Sequence, residues 1–256
     1  MTDFTARVLT ARAGKTHIFS AGQAGYIIKS ASGELLAIDL YLSDCVERNN
    51  SSIGIGYKRL LPRLFDPSEL HFDVVVTTHP HDDHFDPDAV PHLMSCKKTQ
   101  LYGSVDCEKL ADKLGLKKDN MHFMKPGDHA VCGDFTIDFV NCDHGTGAPD
   151  AFGVIITIDG KKILETGDTC LRLDRVPEYT SFGKLDVMIA PINGAYGNMN
   201  EEDCAVLAEA VRPALTIPCH YGMFAIQGGN PGLFYRLMKE KQQPFYLMTY
   251  GEDYEL

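Results

Sequence analysis

Thr77-Thr78-His79-Pro80-His81-Asp82-Asp83-His84 closes the apolar run Phe72 to Thr78, whose valines read as a buried strand. Three histidines and two aspartates follow that strand within six residues. A strand end is a rigid support. A tight proline-containing loop can then turn His79, His81, Asp83 and His84 toward one or two cations, which imidazole and carboxylate ligands suit. The alternative is a solvated polar turn. With 10 histidines in 256 residues, chance placement of three at this spacing beside a strand end is improbable.

Further candidates also lie at the ends of strand-like runs. His144 follows Phe135 to Val140, Asp168 follows Ile163 to Glu165, and His220 follows Leu215 to Pro218. Taken singly each is weak, because a lone histidine after a strand is more often a hydrogen-bonded structural residue and Gly-Asp-Thr is a common turn. Other strand-like runs are Ala24 to Lys29, Leu35 to Leu40, Val74 to Thr78, Thr136 to Val140, Val154 to Ile158, Lys162 to Glu165, Val187 to Ile192, Thr216 to Pro218 and Pro244 to Leu247. Helical patterns occupy Asp106 to Leu114, Glu201 to Val211 and Pro231 to Glu240, the second opening on Asn200 and a run of acids where the helix dipole favours them. Early antiparallel-looking strands followed by strand–helix alternation predict an α/β chain with sheets packed face to face and helices outside. No repeat or linker divides residues 1 to 256, which predicts one domain.

The ordered set of His79, His81, Asp83, His84, His144, Asp168 and His220 resembles the metallo-β-lactamase superfamily. Its first motif is His-x-His-x-Asp-His, followed by a histidine, a bridging aspartate and a final histidine. The resemblance runs from about Gly22 to the final strand and implies a four-layer αββα sandwich, two packed mixed β-sheets with helices outside and a dinuclear site at one edge. The bridging position is Asp168, not the cysteine of the lactam-cleaving members, which disfavours a β-lactamase. Within the superfamily, Pro191-Ile192-Asn193-Gly194, Gly197-Asn198-Met199-Asn200, the stretch Ile217 to Phe224 and Gly229-Asn230-Pro231 resemble the ascorbate-6-phosphate lactonase-like hydrolases. The stretch between Gly194 and Gly197 is compressed to Ala195-Tyr196 and lacks an arginine that those relatives often carry.

The resemblance implies that His79, His81 and His144 hold one metal, Asp83, His84 and His220 the second, and Asp168 bridges them. Manganese or zinc is the implied pair, with iron also compatible with these ligand types. Two such cations ~3.5–4 Å apart make a bridging hydroxide near neutral pH, which would open a lactone or cleave an ester of a small, anionic or phosphorylated carbohydrate derivative. Asp83 and Asp168 are the catalytic candidates, Asp83 also as a proton acceptor. Asp39 would orient a ligand histidine through its second ring nitrogen. Substrate-facing candidates are Asn193, Tyr221, Arg172 and Arg175, each close beyond a ligand or on a rim loop; Tyr57, Lys58 and Arg59 form another candidate anion clamp. Two alternatives remain: a phosphodiesterase or RNA-processing hydrolase of the same superfamily, and a noncatalytic metal-binding or sensor protein.

Composition narrows the classes. A hydrophobic fraction of 44% with 23% charged residues excludes wholesale disorder. No run approaches the ~18 apolar residues of a membrane span. The start lacks the apolar stretch of a secretory signal, so a cytoplasmic location is expected. A net charge of −11 offers nucleic acid no basic footprint. A small-molecule substrate is the expected partner, and the resemblance adds self-association into a homo-oligomer. The eight cysteines show no Cys-x-x-Cys pair and read as reduced thiols. Cys142, Cys170 and Cys219, all within two residues of a proposed ligand, read as small buried fillers instead of thiolate ligands. Asp86 and Asp88 read as turn residues and, with His92, lie outside the ligand spacing.

Overall fold

The apolar runs pair into two mixed sheets in a computed structural model that describes residues 1–256. The first sheet contains β1 (His17–Gly22), β2 (Gly25–Lys29), β3 (Leu35–Ile38), β4 (Val74–Thr77), β5 (Gln100–Ser104) and β6 (Met121–Met124), in that spatial order. The second contains β7 (His129–Cys132), β8 (Phe135–Asn141), β9 (Phe152–Ile158), β10 (Lys161–Glu165), β11 (Val187–Pro191) and β12 (Thr216–Cys219), also in sequence order. The short β13 (Asp253–Glu255) adds to the β1 edge of the first sheet. Strands β1 to β3 are antiparallel and β3 to β6 parallel, whereas β7 to β10 are antiparallel and β10 to β12 parallel.

Period-two alternation explains why most of these strands are apolar on both faces. Tyr26, Ile28, Leu36, Ile38, Val74 and Val76 pack between the sheets against Phe135, Ile137, Phe139, Phe152, Val154 and Ile156. Phe139 and Phe152 meet edge to face at 4.8 Å between centroids in that layer, and truncating either to alanine should cost roughly 3–5 kcal/mol. The intervening residues Ile27, Ala37 and Val75 point outward, beneath α1 (Asp3–Thr10), α3 (Val90–Leu93) and α4 (Val105–Lys113), while the short α2 (Cys45–Asn49) clusters through Cys45 and Val46 with Tyr41 and Phe224. The opposite sheet is covered by α5 (Val176–Ser181), α6 (Glu201–Val211) and α7 (Pro231–Glu240), through Leu164, Met188, Leu207 and Phe234. The result is the four-layer αββα sandwich expected from the resemblance.

Local chemistry fixes the helix ends. Asn200 accepts from the Asp203 amide at 2.9 Å while the Asp203 carboxylate accepts from the Asn200 amide, a reciprocal cap that starts α6. Asn230 caps the Gly232 and Leu233 amides ahead of Pro231, starting α7. The buried Lys29 ammonium donates to the carbonyls of Val8, Leu9 and Ala11, placing a cation on the negative end of α1. The sequence patterns do not single out α1, β1, β5, β6 or β7. Pro244 to Leu247, expected as a strand, makes one isolated bridge between Phe245 and Thr216. The next donor on that side of β12 would be the amide of Pro218, which has none. No helix is long and apolar enough to cross a membrane.

Candidate metal centre

Topology brings the chemistry to one rim. Strands β3 and β4 run parallel, as do β10, β11 and β12, and β8 joins the second group through two antiparallel steps. Their C-terminal ends carry Asp39, His79, Asp168, Asn193, His220 and His144 respectively. Two of these residues turn sharply: Asp39 and His220 take left-handed backbone angles of φ 47° and 60°. Asp39 suits that conformation, because aspartate tolerates it better than most residues.

Three imidazole nitrogens meet at one point. His79 Nε2 lies 2.9 Å and His144 Nε2 3.1 Å from His81 Nδ1. Burial pushes the His79 imidazole well below its ordinary pKa, and burial lowers His81 and His144 as well, so all three favour the neutral form that offers a lone pair. A second group, Asp83, His84 and His220, places its ligand atoms within 4.8 Å of one another, as do His79, His84 and Asp168. Asp168 lies between the two groups: Oδ1 is 2.7 Å from His220 Nε2, and Oδ2 is 3.5 Å from His84 Nε2 and 3.9 Å from His144 Nε2. Burial alone would raise the Asp168 carboxyl, but His220 and His84 outweigh it and hold it well below the usual carboxylate range.

The donor set fits divalent cations. The Nε2 atoms of His84 and His220 are buried and make no well-aligned hydrogen bond, with Asp168 oxygens at 3.5 and 2.7 Å, an arrangement that a cation between imidazole and carboxylate would relieve. The opposite nitrogen of His84 is held by a carboxylate. Asp39 accepts from His84 Nδ1 at 2.7 Å and is itself fixed by the Thr78 amide at 2.8 Å and the Thr78 hydroxyl at 2.6 Å. That hydroxyl also lies 3.0 Å from His79 Nδ1. His144 Nδ1 has no partner, so no protein group fixes that ring's tautomer.

Several supporting contacts go beyond what the sequence predicts. Gln23, in the β1–β2 turn, donates through Nε2 to Asp83 Oδ2 at 2.9 Å and places the same nitrogen 2.9 Å from His220 Nδ1. Asn198 donates to Asp168 Oδ2 at 2.8 Å and to Asn193 Oδ1 at 3.1 Å. The Cys142 thiol supports the Asp168 carbonyl at 3.0 Å. Burial pushes the Cys142 and Cys219 thiols well up and raises Cys170, which opposes thiolate ligation. Glu165 lies nearby with Oε1 on the Gly167 amide and Oε2 unpartnered; burial, then Asp39, pushes its carboxyl well up.

A cavity of about 230 Å³ opens over the cluster, lined by Gln23, Asp83, Asp168, Asn193, His81 and His144 among others. Three expected substrate contacts lie elsewhere. Arg172 is held between Asp143 and the bidentate carboxylate of Asp174, and Arg175 precedes α5 without lining the cavity. Tyr221 turns to the Met248 carbonyl and lines a neighbouring cavity with Tyr26 and Cys219. Of the second clamp, Tyr57 lines the cavity, Lys58 is exposed, and Arg59 stacks over Tyr41 while donating to the Tyr41 carbonyl and Tyr250 hydroxyl. Asp86 is a turn hub, accepting from the Leu42 and Ala89 amides and the Ser43 hydroxyl, and Asp88 pairs with Arg48.

Comparison with known proteins agrees with this geometry. The family model described as "Beta-lactamase superfamily domain" matches residues 17–220, from the first residue of β1 to the last candidate ligand. A protein of Anaeromyxobacter sp. (strain K) described as "UPF0173 metal-dependent hydrolase" is 28% identical over 244 residues, covering 90% of this chain and 83% of that protein. Among solved structures, a metallo hydrolase from the archaeon Ignicoccus hospitalis superposes with a TM-score of 0.75 at 20% identity, covering 94% of this chain and 98% of that one. An isothiocyanate hydrolase from Delia radicum gut bacteria gives 0.69 at 20% identity, with coverages of 93% and 98%. These two likenesses concern the fold, which carries more than one hydrolytic chemistry. The family match, over most of the chain, and the rim of histidines and aspartates together make this chain a member of the metallo-β-lactamase superfamily.

Proposed function

We propose that the chain hydrolyses a small carboxylic ester or lactone, with His79, His81 and His144 holding one divalent cation, Asp83, His84 and His220 a second, and Asp168 shared between them. The observation that carries this reading is the convergence on Asp168 of buried Nε2 atoms that make no well-aligned hydrogen bond, His220 on Oδ1 and His84 on Oδ2, the oxygen that also faces His144. Cations bound there supply Lewis acidity and lower the pKa of water so that a nucleophile forms near neutral pH. Asp83 Oδ2, steadied by Gln23, faces the cavity and accepts the nucleophile's proton. Asn193 has its Oδ1 engaged by Asn198, which leaves its NH2 to donate to the substrate carbonyl oxygen. Imidazole and carboxylate donors suit manganese, zinc or iron.

The expected phosphate or other anionic group on the substrate is not supported by the wall, which has no lysine or arginine. An RNA backbone would find no lysine or arginine on the wall for the phosphates flanking the reacting one, which disfavours the RNA-processing alternative. Elemental analysis with a lactone and ester panel tests the reading. His81→Ala and Asp168→Ala should each lose bound metal and at least about a hundredfold in kcat/KM. Unchanged metal content and activity in both folded variants would end it.

A further inference from the structure

Two tyrosines meet across the mouth of the cavity. Tyr57 ends a 3-10 segment, is 6% exposed and stands edge-on against Phe224 at 5.5 Å between centroids. Tyr196 comes from the opposite side, is 67% exposed and takes a left-handed φ of 54° in a loop where Gly194 and Gly197 are left-handed too. Their hydroxyls are in hydrogen-bond contact. One ring is therefore fixed in the wall, while the other is presented from a surface loop with its tip held only by its partner.

The space behind this pair is apolar on one side and lacks positive charge. Val46, Tyr57 and Phe224 line it, together with the carboxylates of Asp82, Asp83 and Asp168. Of the cationic side chains on neighbouring segments, Arg48 is committed to Asp88, Arg59 to Tyr41 and Tyr250, and Arg172 to Asp143 and Asp174, while Lys58 is exposed and does not line the cavity. Ile53 and Ile55, on the segment leading to Tyr57, are 48% and 77% exposed.

We propose that Tyr57 and Tyr196 form a clasp that determines specificity, admitting substrates whose portion beyond the reacting carbonyl is uncharged and apolar, such as aryl or alkyl esters and lactones. The proposal rests on the hydrolase reading above. An aromatic or aliphatic group placed between Val46, Tyr57 and Phe224 gains burial, and Tyr196 closes over it. A phosphate or carboxylate in the same place gives up water, finds no lysine or arginine on the wall and faces Asp82, the bound cations being engaged by the reacting carbonyl. Entry parts the two hydroxyls, and each is then available to the substrate's polar atoms.

The test uses two lactones identical except for a phenyl or a phosphomonoester substituent. The wild-type chain should favour the phenyl member by about tenfold or more in kcat/KM, the range in which apolar pockets discriminate. Tyr196→Ala should raise KM for the phenyl member more than it lowers kcat, shrinking the preference, and Tyr196→Phe should retain most of it. Asn50→Lys, which puts a cation into the lining, should raise kcat/KM for the phosphorylated member. A second measurement needs no turnover: N-benzylacetamide, added to the metal-free protein, should shift the labelled Tyr57 and Tyr196 ring resonances, whereas benzyl phosphate should not. Failure to hydrolyse either lactone would count against the hydrolase reading alone, because the binding measurement still decides the clasp. A wild-type preference for the phosphorylated lactone, a preference unchanged within twofold in Tyr196→Ala, or tighter binding of benzyl phosphate at these tyrosines would overturn the proposal.

Discussion

Asp39→Asn isolates the role of the protein in preparing a ligand. Asp39 is fully buried at φ 47°, a conformation asparagine tolerates, so the substitution preserves volume and backbone. It replaces one carboxylate oxygen with an NH2 group. In the native chain Oδ1 accepts from the Thr78 amide, while Oδ2 accepts from the Thr78 hydroxyl and His84 Nδ1. With Oδ1 still on the amide, the new NH2 faces His84 Nδ1 and is satisfied only if that nitrogen gives up its hydrogen. The neutral ring then carries its hydrogen on Nε2, the atom that faces Asp168 and should bind the cation. Loss of such a partner typically weakens metal binding by about 10- to 100-fold. That corresponds to roughly 1.4–2.7 kcal/mol. Competition with a chelator of known affinity measures it, and circular dichroism checks the fold. Affinity within twofold of wild type in a folded Asp39→Asn chain would refute the tautomer argument.

Cation loading should release protons. Burial pushes His84 down, but Asp168, Asp39 and Asp83 together outweigh it and hold the metal-free imidazole well above its ordinary value of 6.5. Its contribution to metal-free stability is therefore complete below about pH 6.5 and lost as pH rises through the raised value. Calorimetric titration near pH 7 in buffers of different ionisation enthalpy should show about one proton released from this group, and identical heats in all buffers would contradict it. Gln23→Leu removes the NH2 group that steadies the Asp83 carboxylate; metal affinity should fall by about tenfold with the fold retained, and an unchanged chelator titration would make Gln23 a bystander. Arg172→Ala and Arg175→Ala should leave KM for an uncharged lactone within about twofold, because neither lines the cavity, and a tenfold rise would return them to the substrate site.

The sequence was most informative where one strand supplies neighbouring chemistry. His79, His81, Asp83 and His84 are legible because a short loop leaves them little freedom to diverge. Sheets packed face to face with helices outside were legible from early antiparallel-looking strands followed by strand–helix alternation, whereas the four-layer αββα form came from the resemblance. Short or partly exposed elements were not legible: β7 alternates between half-buried and exposed positions and carries little apolar signal. The anion clamps failed for a different reason. Arg172 and Arg59 lie close to the site along the chain, but nearby carboxylates and carbonyls satisfy their guanidinium groups before a substrate could.

By itself the sequence determined the candidate ligand types, their order and the strand ends that carry them, since these depend on local covalent spacing and on alternation along a strand. Only the tertiary structure decided which side chains support the ligands and what surrounds a substrate. Gln23 touches Asp83 and His220 across 60 and 197 residues of chain, and Tyr57 reaches Tyr196 across 139. Such contacts are set by sheet order and by left-handed turns that aim one side chain, and neither leaves a periodic trace in the amino-acid order.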